Sequence, residues 1–156
     1  MHENTQIGHV HLKVSNLERS IAFYVDVLGF DLMTKIGNSA AFLSAGGYHH
    51  HIGLNTWESH NGPQPGPRAT GLYHFAILVP SRKELARSIK RLAEHNWPIE
   101  GSADHGVSEA IYLRDPDNNG IEIYADRPKE EWGRDENGEL AMVTAQLDME
   151  GIMKEL

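Results

Sequence analysis

The chain has 156 residues, 40% of them hydrophobic, no cysteine, and 14 Lys plus Arg against 22 Asp plus Glu, a formal net charge of -8. That length suits one compact domain or two small fused modules. The charge offers no general attraction to nucleic acid or an anionic membrane, and the missing thiols exclude both a disulfide framework and a thiolate metal site.

From the N-terminus, residues 7 to 14 alternate as a strand does, with His9, His11 and Lys13 on one face and Val10, Leu12 and Val14 on the other. The period then changes. Ser15 and Glu18 read as a capping box, Leu17, Ile21, Tyr24 and Leu28 fall at helical spacing, and Gly29 closes the helix. Phe30 to Lys35, Ser39 to Ser44 and His50 to Thr56 follow as three short strands, and alternation in the last puts His49 and His51 on one face and His50 on the other. The stretch from Glu58 to Gly71 holds Gly62, Pro63, Pro65, Gly66 and Pro67, which interrupt both helix and ladder, and reads as a linker.

After the linker the pattern starts again. Tyr73 to Val79 reads as a strand, Ser81 and Glu84 as a second capping box, and Leu85, Ile89 and Leu92 as the inward stripe of a helix ending before Pro98. Ile99 to Gly101, Val107 to Leu113 and Ile121 to Ala125 supply three strands, the last two joined by the turn-rich segment 115–120. Residues 127–156 fit neither half; within them Leu147 to Leu156 reads as a short outer helix. No N-terminal segment resembles a signal peptide, and no apolar run approaches the roughly 20 residues of a membrane span, so a cytoplasmic location is expected.

The two halves are an internal repeat. His9 and His74 lie 65 positions apart, each three residues before an aliphatic residue and five before a valine. Glu122 interrupts a run, residues 120–124, that otherwise reads as a half-buried strand. The expectation is that His9, His74 and Glu122 meet around one metal ion, held by imidazole and carboxylate because no thiolate exists.

The paired strand-helix-three-strand modules resemble the vicinal oxygen chelate superfamily, which includes glyoxalases, extradiol ring-cleaving dioxygenases, methylmalonyl-CoA epimerase, fosfomycin-resistance transferases and bleomycin-binding proteins. The resemblance spans residues 6–128. It is carried by residues 16–24 (NLERSIAFY) and 115–124 (DPDNNGIEIY). Residues 49–55 (HHHIGLN), 105–108 (HGVS) and the spacing from Tyr112 to Glu122 look most like catechol-type extradiol dioxygenases.

The implied fold class is α+β: two βαβββ modules forming curved mixed sheets around a metal site. Its parts are a first module at 1–60, a linker at 61–71, a second module at 72–128 and a C-terminal extension at 129–156. The resemblance implies His9, His74 and Glu122 as ligands of a divalent metal, Fe(II) first, with Mn(II), Ni(II) or Zn(II) as other occupants. It implies His51 as acid and base toward substrate and dioxygen, with His105 and Tyr112 bonding the substrate oxygens. His51 keeps a rival reading as a fourth metal ligand, the arrangement of glyoxalase-like relatives. The implied partners are a small aromatic or vicinal-oxygen substrate and dioxygen, with the groove built either within one chain or across a homodimer. The implied activity is extradiol cleavage of a small catecholic compound. The alternatives are a glyoxalase-like isomerase or lyase, or a non-enzymatic drug- or metabolite-binding protein.

Overall fold

A computed structural model describes residues 1–156. The elements in order are β1 (Val10–Lys13), α1 (Leu17–Ala22) continued by a π turn (Phe23–Val27), β2 (Asp31–Ile36), β3 (Ala40–Ser44) and β4 (Ile52–Asn55). There follow β5 (Phe75–Leu78), α2 (Arg82–Glu94), β6 (Gly101–Asp104), β7 (Ser108–Arg114), β8 (Gly120–Asp126), a 3-10 turn (Lys129–Glu131) and α3 (Met149–Met153). No helix is long and apolar enough to cross a membrane.

The duplication holds at the level of strand order. One sheet runs β1-β4-β3-β2 and the other β5-β8-β7-β6, each with one parallel pair, β1 with β4 and β5 with β8, and antiparallel neighbours elsewhere. A parallel pair needs a crossover, and α1 and α2 supply it. The chain is an α+β protein with two βαβββ sheets. Its residues divide into a first compact unit, 1–70 with 116–118, and a second, 71–115 with 119–156.

In the first unit the helix start differs from the sequence expectation. Asn16 is the cap, its side chain accepting from the Arg19 amide at 2.9 Å. Ser15 cannot cap because its amide and hydroxyl are both bonded to the Asp117 carboxylate, at 3.1 and 2.6 Å, while Glu18 pairs with Lys35. The helix does not run on as a regular α-helix either. The Leu28 amide reaches the carbonyl of Phe23, five residues back, at 3.0 Å, and the wider turn lets Phe23, Tyr24 and Val27 all bury. Strand β1 begins at Val10, so His9 lies just outside the ladder. Likewise β4 begins only at Ile52, so the alternation expected for His49, His50 and His51 does not apply.

In the second unit Ser81 caps α2 as expected, accepting from the Glu84 amide at 3.3 Å, while the Glu84 carboxylate turns to Arg87 instead of closing the box. Leu85, Ile89 and Leu92 bury against the sheet face that carries Ile111, Leu113, Ile121 and Ile123. Strand β6 starts at Gly101, where the sequence pattern expected it to end. The extension comes back to this unit: Ala145 bridges Asp104, and α3, with Ile152 fully buried, packs on α2.

Candidate metal and substrate site

Because alternate strand residues share a face, the side of the second sheet turned away from α2 is fixed by its register. Tyr112 on β7 pairs with Glu122 on β8, Gly101 on β6 lies beyond Tyr112, and Ala76 on β5 lies on the other side of Glu122. A small residue at each end of this row leaves the two polar side chains room. His74 enters from just before β5, where the chain passes so close to β8 that a Cβ at Gly120 would stand 2.1 Å from the Tyr73 carbonyl oxygen.

Four expected site residues are thereby brought side by side. His74 Nε2 lies 3.0 Å from Glu122 Oε2, Tyr112 Oη lies 3.1 Å from Glu122 Oε1, and His105 Nε2 lies 2.7 Å from Tyr112 Oη. Burial and the Glu122 carboxylate beside it push the Tyr112 hydroxyl up to about 12, so it remains a phenol, a hydrogen donor, at neutral pH. Around His74 and Tyr112 opens a cleft of about 260 Å³ whose wall also includes Tyr73, Arg114 and Glu100, the last two paired at 3.1 Å. It is slightly smaller than a drug-sized pocket of about 300 Å³ or more.

The other two expected residues stand in the first unit. His9 is exposed and stacks on His50, ring centroids 4.3 Å apart, and His50 Nδ1 lies 2.7 Å from His49 Nδ1. Burial, then the charges of His9 and three further histidines, hold His50 below the usual imidazole range; burial and then His9 do the same for His11. His51 turns Nδ1 toward the Ala45 amide at 3.3 Å and the Ser44 hydroxyl at 3.2 Å. An amide N–H can only donate, so Nδ1 is an acceptor and the neutral ring carries its hydrogen on Nε2.

The donor atoms of His74 and Glu122 are of the type and spacing that a divalent ion takes. Two cis ligands, each about 2.1 Å from a metal, stand about 3 Å apart, and the His74–Glu122 separation is 3.0 Å. The pair fits as two of the three members of a 2-His-1-carboxylate set. No cluster of three or more His, Cys, Asp or Glu side chains is gathered as a finished cage. Sequence reasoning missed the bond from His105 Nδ1 to the Val143 carbonyl, 2.9 Å long. A backbone acceptor leaves no mark in the residue type that carries it. It also missed Arg114 and Glu100, which only the strand register brings to the cleft.

A family model described as the Glyoxalase/Bleomycin resistance protein/Dioxygenase superfamily matches residues 6–123. The catechol-2,3-dioxygenase of Bacillus subtilis (strain 168) is 46% identical over 156 residues, which cover 99% of this chain and 53% of that protein. Biphenyl-2,3-diol 1,2-dioxygenase 3 of Rhodococcus globerulus is 27% identical over 121 residues, 78% of this chain and 63% of that protein. The chain thus spans between half and two thirds of the length of these curated relatives. Among solved structures, a glyoxylase/bleomycin resistance protein/dioxygenase domain from Frankia sp. EAN1pec aligns with a TM-score of 0.65 at 23% identity, over 79% of this chain and 98% of that one, a likeness of fold.

Proposed function

The chain belongs to the glyoxalase/bleomycin resistance protein/dioxygenase superfamily, and on that premise we propose that it carries out metal-dependent, extradiol-type cleavage of a small catecholic compound. The observation that supports this reading is the row His105, Tyr112, Glu122 and His74 on one open sheet face, in which the proposed ligands His74 and Glu122 stand beside two groups that can exchange a proton. The relatives named catechol-2,3-dioxygenase and biphenyl-2,3-diol 1,2-dioxygenase lend it the substrate class.

His74 and Glu122 supply two ligands, and His9, at the equivalent position of the first unit, is the proposed third. When bound, a divalent ion, Fe(II) by preference, supplies the positive charge that favours a catecholate anion and the redox capacity that reaction with dioxygen requires. The protein's own groups handle the protons. Tyr112, held as a phenol, donates to a substrate oxygen. His105 takes up the hydrogen that substrate binding releases, and His51, with its hydrogen on Nε2, is the proposed acid toward the oxygen side. The product of such a reaction keeps both atoms of dioxygen in an opened ring.

The orientation of His51 favours this reading over a glyoxalase-like isomerase. A fourth ligand binding through Nε2 would need its hydrogen on Nδ1, and that atom faces the Ala45 N–H donor. One observation favours a second reading. His74 and Glu122 stand within ion-pair distance, 3.0 Å, as they would in a metal-free binding protein built on the same scaffold. Anaerobic purification with metal analysis, then oxygen uptake against a panel of catechols, separates the two. The expected result is near-stoichiometric iron and a yellow ring-opened product, with metal loading lost in His74→Ala. Zinc or nickel without oxygen consumption, or full metal in His74→Ala, overturns the proposal.

A further inference from the structure

Residues 127–147 leave β8 and fold back along the outer edge of β6. The root is fixed by Arg127, whose guanidinium holds Asp104 through two bonds, at 2.6 and 3.2 Å. Asp104 and Ala145 then exchange both backbone hydrogen bonds, at 3.0 and 2.8 Å, and Leu147 buries beyond them. Between these anchors the strap meets His105 twice. The Val143 amide donates to the His105 carbonyl at 3.1 Å, and the Val143 carbonyl lies 2.9 Å from His105 Nδ1. Gly106, at φ +76, makes the turn that allows this, and a Cβ there would press on Val143 Cγ2 at 3.3 Å.

A carbonyl oxygen has no hydrogen to give, so Nδ1 of His105 must carry one. In the neutral ring Nε2 is then bare and can accept from the Tyr112 hydroxyl 2.7 Å away. We propose that the strap, residues 141–145, is a positioning element: its Val143 carbonyl locks His105 in the Nδ1–H tautomer, making Nε2 the one end at which the ring gains or loses a proton. With Nε2 bare, His105 and Glu122 Oε1 compete for the single Tyr112 hydrogen. When His105 gains a proton, Nε2–H donates to the Tyr112 oxygen and the Tyr112 hydroxyl donates to Glu122 Oε1 alone. The bond to Val143 is the same in both states. Transfer therefore changes only the inner side of the ring.

The tautomer itself needs neither metal nor activity, and only its catalytic consequence rests on the function proposed above. The test is the long-range proton–nitrogen spectrum of the histidine rings in the metal-free, nitrogen-labelled protein, with ring resonances assigned by His105→Gln. The expected pattern has hydrogen on Nδ1 of His105, the tautomer free imidazole side chains disfavour. Ala145→Pro removes the amide that anchors the strap to Asp104. It should shift His105 toward Nε2–H and lower kcat on a catechol by roughly 10- to 100-fold with KM little changed. An Nε2–H ring in the unaltered protein overturns the inference without recourse to any variant, as does a folded Ala145→Pro protein with an unshifted tautomer. A locked Nδ1–H ring in a protein inert toward catechols would leave the strap standing and remove the dioxygenase reading.

Discussion

At the scale of single residues, the site depends on which atom of each polar group holds a hydrogen. His51 and His105 are fixed in opposite senses: Ala45 donates to Nδ1 of the first, and Val143 accepts from Nδ1 of the second. Between His105 and Glu122, Tyr112 has one hydrogen for two acceptors, so its proton must stay on through the working pH range. Burial first, and then the nearby Glu122 charge, raise its ionisation to about 12 from an ordinary 10.0. Because the folded state holds this proton more tightly than the unfolded chain, the associated stability is fully present below pH 10 and is lost as the pH rises to about 12. An alkaline titration of phenolate absorbance should contain a step near 12 that is missing in Tyr112→Phe. If the titration curve is unchanged by the substitution, Tyr112 does not sit in this buried, carboxylate-facing position.

At the scale of elements, the register of β5, β8 and β7 is what brings the polar row together, and a tight point in it is Gly120. Register pairs Gly120 with Arg114 on β7, and the Tyr73 carbonyl passes over its Cα on the other side. Gly120→Ala must push the Tyr73 backbone, and His74 with it, away from β8. The expected cost is about 1–3 kcal/mol, read as a fall of roughly 3 °C in Tm for each kcal/mol, together with weaker metal loading because His74 moves relative to Glu122. An unchanged Tm would mean the β5–β8 approach is looser than described. Much of this element layer was legible in the residues. The Leu85, Ile89 and Leu92 stripe, the Ser81 cap and the Asp115–Gly120 turn are local signals, and each acts locally in the fold. Asn119 bonds back to the Asp115 carboxylate through both backbone and side chain, at 2.8 Å each. What was not legible depends on distant partners. Ser15 loses its capping role to Asp117, 102 positions away, and the π turn answers to burial of Phe23 and Tyr24. For the site, the repeat picked out His9 and His74 and the interrupted strand picked out Glu122, whereas the role of Val143 rests on a carbonyl that any residue would supply.

At the scale of the whole molecule, duplication sets the architecture, and one acidic side chain closes the first unit across most of the chain's length. The first unit takes in residues 116–118, and Asp117 is the reason. Its carboxylate accepts from the Ser15 amide at 3.1 Å, the Ser15 hydroxyl at 2.6 Å and the Arg19 guanidinium at 2.6 Å, and lies 3.4 Å from the fully buried Ser20 hydroxyl. Only 9% of the Asp117 side chain is exposed, so these bonds are made in a setting where water cannot replace them. Asp117→Ala would leave the Ser15 amide and the Ser20 hydroxyl short of an acceptor next to a charge that has lost its partner, at a cost of about 2–4 kcal/mol. Asp117→Asn keeps an acceptor oxygen but not the charge and should cost about half as much. Both are measured as shifts of the urea midpoint at constant slope. Equal, negligible shifts for the two would mean that the loop rests on α1 through backbone packing alone. A larger shift for Ala than for Asn assigns the difference to the acceptor that Asn retains.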